Sequence, residues 1–172
     1  MKKDIKKKEI LNSKFDEIKE VTVRIKSEQS EHGEKPTRIE QISEGKLFKT
    51  ADEWNLTYKE AQESGLDESF TTIHMYTNGM VAMDRIGVNQ MKMEFVEGKK
   101  HIARMETPHG ALDIGILTNH VKIDITENGG HLALSYIINV NDDYPVQTKM
   151  TMRVTPRQWA FHMKNYCFFC KI

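Results

Sequence analysis

From about residue 18 to residue 155 the chain repeats one device. Short runs alternate apolar and polar residues, and turn-forming residues cut them apart. In "EVTVRIKS" Val21, Val23 and Ile25 alternate with polar neighbours; in "WNLTYKEA" Trp54, Leu56 and Tyr58 do the same. The series continues through "TRIEQISEGKLFKT", "SFTTIHMYT", "MVAMDRIG", "QMKMEFVE", "KHIARMET", "ALDIGILT", "VKIDITE", "HLALSYIINV" and "PVQTKMTMRV". A period of two puts every second side chain on one face of a strand, so each run can bury one face and wet the other. About ten such runs at close spacing, with turn residues between them, describe a sandwich or a closed meander. Closure is favoured because it leaves no long strand edge unpaired. The fold class read from this pattern is all-β: an antiparallel up-and-down barrel of about 8–10 strands, followed by a short C-terminal helix.

Turn chemistry sets which residues share a face. Asn78-Gly79 between two β-like runs favours a two-residue turn, since both central residues then need positive φ. With Thr77 opposite Met80, one face would carry His74, Tyr76, Val81, Met83 and Arg85 together. At Thr107-Pro108-His109-Gly110 two registers are open. A three-residue loop sets Glu106 opposite Leu112 and Arg104 opposite Ile114, turning both charges toward the aliphatic face. A loop closed by Thr107 slips the pairing by one, so that Arg104 meets Asp113 on the wet side and Met105 meets Leu112.

The first register suggests a site. Apolar walls carrying a few orienting polar groups are the usual lining of a ligand cavity, and a barrel of this size can hold one small guest. Arg85, Arg104, Glu106, His74 and Tyr136 are the expected ligand-binding residues. Buried ions must pair with each other, with water or with a ligand anion, because an unpaired buried charge costs several kcal/mol. The plainer alternative is that Arg85 and Glu106 close one barrel end as a structural ion pair.

Three segments are expected: a charged arm at 1–16, the barrel domain at 17–155 and a helical tail at 156–172. A chain of 172 residues fits one such domain and can bury roughly 70% of its unfolded surface. In the tail, Thr155, Pro156 and Gln158 resemble a capping box, and Trp159, His162, Met163 and Tyr166 follow at helical spacing. Lys plus Arg balances Asp plus Glu at 25 each, which argues against nucleic acid as a partner. No apolar run approaches a membrane-span length, and "MKKDIKKKEILNSKF" lacks the apolar core of a secretory signal. Both cysteines, Cys167 and Cys170, lie near the C-terminus, which together points to a reduced, cytoplasmic protein. Their Cys-x-x-Cys spacing lacks the strand before and helix after that redox chemistry uses. The seven histidines show no metal-ligand spacing, and neither a phosphate-binding Gly loop nor a Ser nucleophile elbow is present. No metal, cofactor or catalytic residue is therefore expected.

One resemblance extends this reading. Arg85-x-Gly87, Phe95-x-x-Gly98, Glu106-Thr107-Pro108-x-Gly110, the Thr118 strand end and the Gly-Gly turn before Leu132-x-Leu134-x-Tyr136 occur in order. Over roughly residues 18–155 the chain resembles the YwiB-like family, a Firmicutes domain of unknown function. The resemblance implies a small antiparallel barrel of the calycin or lipocalin-like kind and no established activity. The functional expectation is a cytoplasmic barrel binding a small amphipathic or anionic ligand. The alternative is a non-enzymatic interaction module with a filled barrel, acting through its surface or as a homodimer.

Overall fold

A computed structural model of the chain describes residues 17–31, 34–60, 69–140 and 145–157. The strands are β1 (Lys19–Ser30), β2 (Thr37–Lys49), β3 (Glu53–Lys59), β4 (Phe70–Tyr76) and β5 (Val81–Ile86), then β6 (Gln90–Phe95), β7 (Lys100–Thr107), β8 (Gly110–Thr126), β9 (Gly129–Val140) and β10 (Val146–Pro156). Each pairs antiparallel with its neighbours in sequence, and β10 returns to β1, so the sheet closes into a barrel. The expected all-β, closed antiparallel barrel is therefore observed, with ten strands. The arm at 1–16 and the tail helix, from 158 onward, lie outside the described residues. At the junction β10 runs through Thr155 and Pro156, which pair with Thr22 and Val21 on β1, so Thr155 is a strand residue and not a helix cap.

The period of two resolves into an inner and an outer face. Val21, Val23, Leu56, Ile73, Val81, Phe95, Ile116 and Met152 all point inward and are 0% exposed. Solvent reaches none of them, and the middle of the barrel is filled by side chains. Phe95 and Tyr136 pack tilted across it, ring centroids 4.9 Å apart, in the offset geometry that aromatic quadrupoles favour.

Two hairpins depart from the expected register, and both departures have local causes. In the Asn78-Gly79 hairpin Tyr76 N donates to Met80 O, and Met80 N donates to the Asn78 side chain. The loop is longer than two residues, and Met75 pairs with Val81 and Ile73 with Met83. Arg85 accordingly shares the inner face with Thr71, while His74 turns to the outer wall. At the other hairpin Thr107 pairs directly with Gly110. The Thr107 hydroxyl donates to Gly110 O at 2.8 Å and accepts from His109 N at 3.1 Å, holding Pro108-His109 as the loop. Gly110 sits at φ +126°, which glycine alone adopts readily. The slipped register follows: Arg104 pairs with Asp113, Met105 with Leu112, and Glu106 with Ala111.

One strand changes phase on purpose. "ALDIGILT" and "VKIDITE" are a single 17-residue strand, β8, with a bulge between Thr118 and His120. Before the bulge Ile114, Ile116 and Thr118 face inward; after it Val121 pairs with Leu134 and Ile123 with Leu132, so the odd residues take over. One extra residue re-aims the rest of a strand in this way. The Glu97 carboxylate pins the bulge, accepting from Val121 N at 3.0 Å and lying 3.0 Å from His120 Nδ1. Those contacts, the Val121 amide first, hold its pKa below the ordinary carboxylate value.

Candidate functional site

The five residues expected to form a site do not come together. Arg104 and Glu106 are exposed on the outer wall, a correction that follows from the Thr107–Gly110 closure. Arg104 lies 3.8 Å from Asp113, both side chains about two-thirds in solvent at 66% and 65%, which makes a weak surface pair. His74 also faces outward, with Nδ1 3.5 Å from Glu53 and Nε2 3.3 Å from Asp84. Arg85 and Tyr136 do point inward, toward the barrel end that carries the β3–β4, β5–β6 and β7–β8 connections.

The partner of Arg85 is Glu60, not Glu106. Arg85 Nη2 lies 3.1 Å from Glu60 Oε1, the two side chains being 19% and 4% exposed. Thr71 donates to the same oxygen at 2.5 Å, Gln41 donates to Oε2 at 3.2 Å, and Arg85 Nε donates to Thr71 at 3.3 Å. A buried carboxylate with three donors is well satisfied, which a desolvated ion pair needs in order to persist. Tyr58 and Tyr136 stand beside the pair. Burial raises the Tyr58 phenol well above its ordinary range, and Glu60 adds to that; burial pushes Tyr136 up to about 12, with Arg85 pulling the other way. The cluster is one ion pair flanked by two buried phenols. Its charges cancel, and it closes one end of the barrel. Glu60 was missed by the sequence reading because it lies past the last residue of β3, in the polar stretch "KEAQESGLDE". The available signal was parity: Leu56, Tyr58 and Glu60 continue one inward series.

Among the described residues the opposite end is open. Here Lys19, Lys49 and Trp54 end the inward series of β1, β2 and β3, with Lys19 paired to Leu47 and Lys49 to Trp54. A cavity of about 580 Å³ is lined by Glu17, Lys19, Lys49, Trp54, Ile125, Thr126 and Glu127. A second, of about 280 Å³, is lined by Trp54, Met75, Tyr76, Thr77, Gly79, Val121 and Ile123. The two share Trp54. Lys49 Nζ lies 5.6 Å from the centre of the Trp54 ring, a cation–π distance. The far wall is the re-phased half of β8. Among the described residues its pairing to β7 stops at Leu117, so Val121 and Ile123 face the cavity from a strand bonded on the β9 side. None of the five expected residues lines either cavity. Trp54 was noted in the sequence as a strand aromatic, and Lys49 carried no signal of its own.

Among the described residues no group of three or more His, Cys, Asp or Glu side chains is placed to hold a metal ion.

Known proteins bear on the fold and the family. A family model described as a domain of unknown function, DUF1934, matches residues 23–152. An uncharacterized beta-barrel protein, YwiB of Bacillus subtilis (strain 168), is 26% identical over 132 residues, covering 77% of this chain and 90% of that protein. The crystal structure of the ywiB protein from Bacillus subtilis superposes with a TM-score of 0.76 at 22% identity, over 86% of this chain and 99% of that one. That likeness shows the shared barrel.

Proposed function

The chain belongs to the DUF1934 family, a domain of unknown function, and from that premise we propose that it binds a small amphipathic ligand at the Trp54 mouth of an otherwise filled barrel. The observation that carries the reading is the pair of cavities that both have Trp54 in their lining. Their floor is apolar, from Met75, Val121, Ile123 and Ile125, and their rim is charged, from Lys19, Lys49, Glu17 and Glu127. Barrel mouths with apolar linings and a few polar groups are where such guests dock. The ligand sits at the mouth and not in the middle, where side chains leave no room. Arg85, Glu60 and Tyr136 brace the closed end.

The chain has two tryptophans, Trp54 and Trp159. In Trp159→Phe protein the emission reports Trp54 alone. Titration with an environment-sensitive amphiphile such as anilinonaphthalene sulfonate should change that emission saturably, and Trp54→Ala should abolish the rise in the dye's own fluorescence. A flat titration would sink the reading.

A second reading, an interaction module or homodimer, is favoured by Phe70 and Ile86. They are direct cross-strand partners on the outer wall and 52% and 66% exposed. Light scattering over a hundredfold concentration range tests it: a dimer that Phe70→Glu dissociates supports this reading, and a monomer throughout removes its homodimer form.

A further inference from the structure

The geometry points to a ligand class for the Trp54 mouth: a monoanion with an apolar body, an alkyl or aryl carboxylate, held by the Lys49 ammonium. This rests on the mouth being a ligand site and goes further by naming what the site selects.

Lys49 lines the larger cavity beside Trp54, the residue whose side chain lines both. Its ammonium already occupies one face of Trp54, at 5.6 Å from the ring centre. A cationic headgroup seeking that face would meet a like charge. Among the described residues neither Lys49 nor Lys19 has an ion-pair partner, whereas Lys26 and Lys46 both lie beside glutamates. Lys49 is therefore a half-buried cation at an apolar boundary with its donors open to an anion. The smaller cavity, which Trp54 also lines, offers Met75, Val121 and Ile123, with no charged side chain in its lining. That compartment suits an apolar body and would desolvate a second charge. Glu17 and Glu127 line the outer compartment beside Lys19, so negative charge in excess of one is opposed at the rim. A single carboxylate at Lys49 with a hydrocarbon running past Trp54 meets all three conditions.

Calorimetry on the full chain, with probes kept below their micelle concentrations, tests this. Decanoate, decanol, decyltrimethylammonium and decyl phosphate share one tail and differ in head charge. Decanoate should bind about tenfold or more tighter than decanol, the gain of one charge-assisted hydrogen bond at a partly wet site. The ammonium should bind weakest, and decyl phosphate should fall below decanoate. Lys49→Gln should lower decanoate affinity about tenfold and leave decanol unchanged, while Lys49→Arg retains most of it. Equal affinities for all heads, or no effect of Lys49→Gln, would overturn the class while leaving the mouth as a site. Silence from every probe would overturn the site and this inference with it.

Discussion

Replacing Glu60 by leucine should destabilise the barrel by about 3–5 kcal/mol, because it strands a buried guanidinium. Three donors lose their acceptor: Arg85 Nη2 at 3.1 Å, the Thr71 hydroxyl at 2.5 Å and the Gln41 amide at 3.2 Å. Gln41 is only half buried and can turn to water, so its share is small. Thr71 is 0% exposed, and a hydroxyl left without its acceptor there costs roughly 1–3 kcal/mol. The Arg85 side chain keeps 19% of its surface in solvent, and that partial hydration sets the total toward the lower end. Urea unfolding reads the effect: with a slope of about 2 kcal/mol/M, a 3 kcal/mol loss moves the midpoint by roughly 1.5 M. Glu60→Leu with Arg85→Met should recover most of the loss, since an apolar pair of similar volume is often neutral or better than a buried ion pair. Glu106→Leu, on the outer wall, should stay within about 0.5 kcal/mol of the parent. A Glu60→Leu cost below about 1 kcal/mol, or a double variant no better than the single, would refute the placement of this pair inside the barrel.

Three further outcomes are expected. Gly87→Ala should cost about 1–3 kcal/mol in the same assay, because a Cβ there would sit 2.8 Å from Ser69 Cα, at φ +153°. The Tyr136 phenol, raised by burial to about 12 from an ordinary 10.0, contributes stability that is complete below pH 10 and lost as pH rises through 12, since the unfolded chain releases the proton first. Tyr136→Phe should flatten the fall in unfolding free energy over that window, measured against the parent. Glu97→Gln should speed hydrogen exchange at the Val121 amide, whose carboxylate acceptor it weakens, and leave the exchange of buried Ile116 unchanged. In the parent that protection should fade as pH drops through the lowered Glu97 value.

The fold was legible because barrel strands carry their face in a period of two, and Val21, Val23, Leu132 and Leu134 advertise it without tertiary information. What the pattern could not supply was phase. Two loop closures, at Thr107–Gly110 and around Asn78-Gly79, decide which half of each alternation points inward, and a single residue of loop length reverses it. Arg104, Glu106 and His74 moved to the outer wall for that reason alone. Arg85 kept its inward direction, and its partner came from Glu60, one residue past the end of β3, where only the parity of Leu56 and Tyr58 marks it. The mouth was harder still. It depends on a bulge that swings Val121 and Ile123 inward, and an out-of-phase strand looks in sequence like two separate strands. Lys49 gains its meaning only from Trp54 across the β2–β3 pair.

Methyl and indole NMR of the full chain titrated with decanoate tests the location of binding most directly. The expected result is saturable shifts at the Trp54 indole N–H and at the methyl groups of Met75, Val121 and Ile123, with Met91 and Leu112 near the closed end unmoved. Shifts centred on the closed end beside Arg85, or none anywhere, would contradict a ligand site at the Trp54 mouth.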